Sequence, residues 1–275
     1  MRLISWNVAG RSAVLAAQAE ALARQEPDLV CLQEVRATTL GRWSEALAEI
    51  GLGELEDSSD FIGPRRFFNL TASRWGLRQL APIGAPQPER VLSLAVQTPH
   101  GALGLHNVHV PPAQSVGLLK VETCEAIHFA LARPSDRHRV LCGDFNAPRM
   151  ETAEGEVITF AAARPERLER WDVGERWSVA ERWDAAERSI LTGLAEWDLV
   201  DVFRALHGYE RQDASWVFNT RARRKSAHRL DHILASSGLN PVWCDYHHGW
   251  REAGLSDHSA IEGVFEPQPT RRRQR

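Results

Sequence analysis

Short apolar runs that end in polar side chains recur along the chain. The first two, "RLISWNV" and "PDLVCLQEV", predict buried strands that deliver side chains to a sheet edge. Between them Ser12 is placed to cap a helix carrying Leu15 and Leu22 on one face, and Pro27 ends it, so the chain opens β-α-β. Leu40, Trp43, Leu47 and Ile50 fall at helical spacing before Gly51 and predict a second helix. "VLSLAVQT" and "GALGLHNVHV" read as strands, with "PHG" between them predicting a hairpin. Val116, Leu119, Ile127 and Leu131 mark a helix over 116–133, stopped by Pro134 and followed by the strand "RVLCGDF". Farther on, "AERSILTGLAEW" sets Ile190, Leu191, Leu194 and Trp197 on one helical face, and "ASWVFNT", "RLDHILAS", "NPVWCDYHH" and "SAIEGVF" predict strands. Mixed α/β order with antiparallel stretches fits two stacked mixed β-sheets flanked by helices, a four-layer α/β sandwich, better than strict alternation does.

Two segments stand outside this pattern. Residues 170–188 repeat as "RWDVGE", "RWSVAE" and "RWDAAE", so Trp171, Trp177 and Trp183 recur every six residues. On a helix each would turn ~240° from the last and make no stripe, which leaves an exposed loop or inserted duplication, or a flap that stacks on nucleic-acid bases. The tail "PQPTRRRQR", 267–275, reads as a disordered basic tail behind a single domain over 1–266. A chain of 275 residues, 43% hydrophobic and 25% charged, has ample material for one such core. No leader-like n-region and h-region precede Leu3, and no apolar run approaches the ~18 residues that span a bilayer. The expectation is a soluble cytoplasmic protein without a membrane partner, monomeric by default. Cys31, Cys124, Cys142 and Cys244 are too scattered for a zinc site or a disulfide framework. A formal net charge of -3 argues against indiscriminate coating of nucleic acid but allows a local basic groove. Almost all positive charge is arginine, with lysine only at Lys120 and Lys225.

Candidate chemistry gathers at the strand ends, which finish in Asn7, Glu34, Asp144 with Asn146, and Asp257 with His258. Carboxylates are costly to bury unpaired, so several at one core edge point to a cation, and oxygen donors favour Mg2+ or Mn2+ over zinc. Asp144 and Asn146, two apart on extended chain, share a side. By the same period Asn107 and His109 share one face and His106 takes the other, so the two histidines are not a metal-binding pair.

"SWN", "LQE", "GDFN" and "SDHS" occur here in the order of the endonuclease/exonuclease/phosphatase superfamily, which the chain resembles over almost its whole length. That superfamily includes exonuclease III, AP endonucleases, pancreatic-type deoxyribonuclease and sphingomyelinases. The C-terminal half is most similar to exonuclease III through "AERSILTGLAEWDLVDVFR", "ASWVFNTRARRKSAHRLDHILAS" and "LSDHS". The resemblance implies a DNase-I-like fold and a phosphodiesterase. Glu34 would bind the divalent cation, with Asn7 and Asp257 completing its environment. Asp144, held with Asn146, would orient or deprotonate the attacking water. His258, oriented by Asp231, would contact the phosphoryl oxygen or share in proton transfer. Such a reaction builds charge on phosphoryl and leaving oxygens, which a cation, an imidazolium and amide donors stabilise.

On the substrate side, "FFNLTASRW" is similar to the "GNAxLSR" segment of many superfamily hydrolases and places Asn69 among substrate-binding candidates with Asn107. Arg36 and Arg149 follow closely behind Glu34 and Asp144, and "RARRKSAHR" brings Arg229 up to the strand of Asp231, so all three are candidate phosphate contacts. Trp216 matches a position near the apolar pocket of the exonuclease III group. "HNVHVPP" departs from that group, which carries tyrosine where His109 stands. His109 is therefore read either as a donor to phosphate or as a satisfied core histidine, and Asp231 either as the partner of His258 or of Arg229. The expected function is Mg2+- or Mn2+-dependent hydrolysis of DNA phosphodiester bonds, in exonuclease or endonuclease mode, with a possible place in DNA repair. The alternative is another phosphoester: an RNA end, a nucleotide or a lipid headgroup.

Overall fold

The computed structural model describes residues 1–61, 67–115, 117–161, 179–219 and 225–266. The two opening apolar runs become parallel neighbours, β1 (Arg2–Asn7) and β2 (Leu29–Arg36), joined over α1 (Leu15–Ala23). After α2 (Leu40–Glu49) the chain adds β3 (Glu54–Asp57), β4 (Phe67–Ser73) and β5 (Leu77–Gln79). The expected hairpin is β6 (Val91–Thr98) with β7 (Gly101–His109), closed where Thr98 faces Gly101. Next come α3 (Leu119–Leu131), β8 (His138–Asp144), the short β9 (Met150–Glu151) and β10 (Val157–Ile158), and α4 (Val179–Leu191). β11 (Val200–Asp201), α5 (Val202–His207), β12 (Trp216–Asn219), β13 (Lys225–His228), β14 (Asp231–Ala235), β15 (Pro241–His247), α6 (His248–Glu252) and β16 (Ala260–Phe265) complete the chain.

Among the described residues two six-stranded mixed sheets form, in the orders β15-β16-β1-β2-β4-β3 and β11-β14-β8-β7-β6-β5. Their inner faces share one apolar core, in which Leu3, Cys31 and Ile261 of the first sheet meet Leu105, Cys142 and Ile233 of the second. Leu15, Leu22, Trp43 and Leu47 of α1 and α2 cover the outer face of the first sheet, and Val121, Ile127, Trp183 and Ile190 of α3 and α4 cover that of the second. The expected four-layer α/β sandwich is therefore present. The four cysteines are free and buried. No described helix is long and apolar enough to cross a membrane.

Three local expectations are corrected. Ser12 does not cap α1, whose N-cap is Val14 with no side-chain hydrogen bond. The helix expected over "AERSILTGLAEW" starts earlier, at Val179, and ends at Leu191; Gly193–Trp197 tighten into a 3-10 turn that still buries Leu194. The third tryptophan of the repeat is not in an exposed loop, because Trp183 lies on α4 and is buried. Trp171 and Trp177, Arg221, Arg223 and Arg224, and the tail 267–275 lie outside the described residues.

Candidate active site

Strand pairing brings the polar strand ends together at one edge of the sandwich. β7 runs parallel to β8 with His109 beside Asp144, and β14 runs antiparallel to β8 with Asp231 opposite Asp144. Gly143 makes this approach possible: its φ is +140°, and an added Cβ would stand 1.8 Å from the Val108 carbonyl oxygen. Glu34 sits at an irregularity of β2, with φ +59°, where the pairing with β4 skips between Leu32 and Val35. Asn146 also adopts the left-handed region, with φ +49°. Both conformations are costly for residues other than glycine and are held by the surrounding hydrogen bonds.

Asn7 Nδ2 donates to Asp144 Oδ2 at 3.0 Å and to Glu34 Oε1 at 3.3 Å, so one amide bridges two carboxylates. Asp144 Oδ1 accepts from the Asn146 amide N–H at 2.8 Å, and Asn146 Nδ2 donates to the Val110 carbonyl at 2.9 Å. His258 Nδ1 pairs with Asp231 Oδ2 at 2.8 Å, while its Nε2 stands 3.8 Å from Asp144 Oδ2. The Asp231 main chain is itself fixed, because its N–H donates to Ser215 Oγ and its carbonyl accepts from the Tyr246 hydroxyl at 2.6 Å. Trp6 Nε1 donates to the His258 carbonyl, and Ser256 Oγ donates to the Asn7 carbonyl, which ties the terminal "SDHS" back to β1.

Electrostatics separate the two histidines. Burial alone pushes His258 down, but Asp231 and Asp144 outweigh it and raise its pKa to about 10, so it is an imidazolium at neutral pH. Burial, with the nearby Arg90 and His258 charges, holds His109 well below its ordinary value, so it is neutral. Arg90 Nη1 lies 2.9 Å from His109 Nδ1 and 3.1 Å from its Nε2, so the guanidinium sits against the ring between its two nitrogens. His109 Nε2 in turn stands 3.6 Å from Glu34 Oε1 and 3.7 Å from Asp144 Oδ2. Burial raises the carboxyl groups of Glu34 and Asp144, only partly countered by the Asn7 amide and His258.

This under-compensation is what a divalent cation fits. Glu34 and Asp144 converge on a single amide, the neighbouring Asp257 charge acts on Glu34, and Asp231 Oδ1 is buried without a hydrogen bond. The ligand atoms of Asp144, Asp231 and His258 lie within 4.8 Å of one another; His258 Nδ1 takes Asp231 Oδ2 and leaves Oδ1 without a partner. Glu34 and Asp144, which share the Asn7 amide, and the exposed Asp257, whose charge acts on Glu34, are the carboxylates that could supply oxygen to a hard cation. Asn7, expected as a ligand, presents its amide N–H to the carboxylates and spends Oδ1 on the Ala9 N–H at 2.9 Å; it is a bridge between the acids.

The expected substrate contacts divide. Trp216 Nε1 donates to Asp257 Oδ2 at 3.3 Å, and its ring stacks on Phe218, with centroids 5.6 Å apart and 3° between planes. Phe218 is 52% exposed, whereas Trp216 is half-buried and also stacks on His228, so Phe218 is the open member of the group. Arg36 is exposed, lying over the Phe67 ring and donating to the Gly10 carbonyl, and Arg149 is half-buried next to His228. Three others are internal ties. Asn107 is fully buried, donating to the Leu32 and Leu70 carbonyls and accepting from Gln33. Asn69, also fully buried, donates to the Arg90 and Asn107 carbonyls. Arg229 is buried against Glu151 and Asp201. That arrangement also resolves the two readings of Asp231, which pairs with His258 and leaves Arg229 to other acids. His106, on the opposite strand face as expected, is buried and bonded to Ser93 Oγ at 2.9 Å. Arg90 was not among the sequence candidates, although the hairpin register that pairs Val91 with Val108 sets Arg90 opposite His109.

The fold matches that of an AP endonuclease from Archaeoglobus fulgidus, with a TM-score of 0.71 at 20% identity over 97% of this chain and 99% of that one. It is similar to a 3'-5' exonuclease from Neisseria meningitidis, with a TM-score of 0.66 at 22% identity over 97% and 100%. A third likeness is to D. rerio TDP2 complexed with a single-strand DNA product, with a TM-score of 0.66 at 18% identity over 97% and 98%. No curated protein sequence matches the chain significantly. The profile of the Endonuclease/Exonuclease/phosphatase family matches residues 4–258, and this chain belongs to that family, whose members are hydrolases of phosphoester bonds.

Proposed function

We propose that the protein is a divalent-metal-dependent phosphodiesterase acting on DNA, of exonuclease III type, with Mg2+ or Mn2+ as its cofactor. The observation that carries this reading is the chain Asp231–His258–Asp144, with Glu34 on the far side of Asp144, at one edge of the two sheets. Glu34 and Asp257, with Asp144 beside them, would hold the cation, which when bound supplies positive charge to the phosphoryl oxygens. Asp144, its Oδ1 pinned by the Asn146 N–H, orients the attacking water and takes its proton. His258 does not serve as that base, because its Nδ1 is committed to a buried carboxylate that favours the protonated ring. Its Nε2–H instead donates to the phosphoryl group as the P–O bond to the leaving group breaks, and neutral His109, steadied by Arg90, lines the same wall.

A polymer substrate is favoured by the exposed Phe218 ring, stacked on Trp216 next to Asp257, since every nucleobase offers a π-face to such a surface. Arg149, whose carbonyl meets the His228 ring that stacks on Trp216, and the exposed Arg36 behind Glu34 supply charge for a phosphate backbone. DNA is favoured over RNA because structures of this fold include one bound to a DNA hairpin product and one to a single-strand DNA product. The test is a panel of blunt, nicked and abasic duplex, single-stranded DNA, RNA and a chromogenic phosphodiester, each with Mg2+ or Mn2+. Cleavage of DNA at least tenfold faster than RNA or the small ester is expected. Turnover of the small ester or RNA alone would overturn the DNA reading.

A further inference from the structure

We propose that Lys120 is a positioning residue for hydrolysis, acting through the main chain of Asn146 without touching substrate. The inference rests on the reading of Asp144 as the water-orienting carboxylate.

Lys120 lies on α3 with its side chain 1% exposed, and its ammonium has three neighbours. Nζ donates to the Asn146 carbonyl at 2.7 Å, pairs with Glu187 Oε1 at 2.6 Å, and sits 5.0 Å from the centre of the Phe160 ring. An ammonium has three N–H bonds, and these partners account for them. Glu187, on α4 and wholly buried, also accepts from Trp183 Nε1 at 2.7 Å and from the Phe160 N–H at 3.1 Å. The last tryptophan of the sequence repeat therefore helps hold the acid that holds the lysine.

Stability does not account for this arrangement. Withdrawing two charges from water costs several kcal/mol per ion, and apolar pairs of similar volume commonly replace buried ion pairs without loss. What an apolar pair lacks is an acceptor for the Trp183 and Phe160 N–H groups and a donor aimed at the Asn146 carbonyl. Asn146 is in the left-handed region, its N–H holds Asp144 Oδ1, and its side chain holds the Val110 carbonyl. Anchoring its carbonyl fixes the third polar group of the same residue and so the direction of the N–H that aims Asp144. Displacement of a reacting group by about 1 Å costs on the order of 10²-fold in rate, so a small rotation here has a large kinetic effect.

The decisive variant is Lys120→Met with Glu187→Gln, which removes both charges while leaving one oxygen, for the Trp183 Nε1–H, of the two that Glu187 offers to Trp183 and Phe160; Lys120→Gln with Glu187→Gln stands in if the first does not fold. Three readouts apply to the folded protein: the Asn146 amide resonance and its hydrogen exchange, kcat and KM on the substrate that the unaltered protein cleaves best, and recovery in Lys120→Arg. The expected result is a shifted, faster-exchanging Asn146 amide, kcat lower by at least about tenfold, KM within about twofold, and most of the rate regained with arginine. An unchanged Asn146 amide, or unchanged kcat in the folded double variant, overturns the proposal. If the unaltered protein cleaves no phosphoester, the catalytic reading fails by itself, and the amide readout still decides whether Lys120 sets the loop.

Discussion

His258 faces two buried carboxylates, and each favours a proton on the ring. Asp231 does so through a 2.8 Å hydrogen bond to Nδ1, which fixes the tautomer and turns Nε2 toward the side of Asp144. Asp231→Asn keeps the shape but presents an amide in place of the charge, so the imidazole loses both its orientation and its reason to stay protonated. Steady-state kinetics should show kcat lower by about 10²-fold or more with KM little changed, and kcat within threefold of the unaltered protein would remove Asp231 from the mechanism. At this scale the gathering of Asn7, Glu34, Asp144, Asn146, Asp257 and His258 into one candidate cluster was legible, because they stand in short motifs at strand ends. The roles of Asn69, Asn107 and Arg229 were not. Their hydrogen-bond partners lie on strands distant in sequence, and polar side chains that serve the backbone look in sequence like those that serve a ligand. Arg90 was within reach, since carrying the hairpin register back from Thr98 and Gly101 sets it opposite His109.

Among the elements, β8 bears the strictest constraint, being paired on both sides and carrying Asp144 at its end. Gly143 lets it pass under the Val108 carbonyl, where an added Cβ would arrive at 1.8 Å against rigid backbone. Gly143→Ala must move a central strand and adopt a φ that alanine avoids. A loss on the order of 3 kcal/mol or more is expected, read as a fall in the denaturant midpoint, or failure to accumulate as soluble protein. A variant as stable as the parent would show that the β7–β8 approach is looser than described. Periodicity predicted the β6–β7 hairpin because its alternation and its turn residues agree. It misjudged the end of α4 because Leu194 continues the apolar spacing past Thr192 and Gly193, where the chain tightens into a 3-10 turn. The short α5 and α6 carry too few residues for any period to declare itself.

For the molecule as a whole, acid stability follows from the network that joins β9, β11 and α5 to the residues just before β14. Glu151 is bonded by Arg229 and Arg204, and Asp201 by Arg229 and His232. Burial works to raise Glu151, but the two arginines hold its carboxyl at about 2, and Arg229 and His232 hold Asp201 well below the usual range. A folded-state pKa below the unfolded one gives stability that is present above about pH 4.5 and is lost as pH falls toward 2, on the order of 3 kcal/mol for Glu151 alone. Urea midpoints measured from pH 6 to pH 3 should therefore fall steeply below pH 4.5, and a flat profile would show that the network contributes nothing. The layered architecture was legible because both sheets and both helical covers carry their own apolar faces, whereas the charged network required knowing which strands meet. The central claim is that Asp144 serves a metal-dependent attack on a DNA phosphodiester. Its most direct test is the single-turnover cleavage rate of duplex DNA by the parent protein and by Asp144→Asn, each with Mg2+ and with chelator. The account predicts cleavage only by the parent with Mg2+, with the variant slower by roughly 10³-fold; equal rates for the two proteins, or cleavage undiminished by chelator, would contradict it.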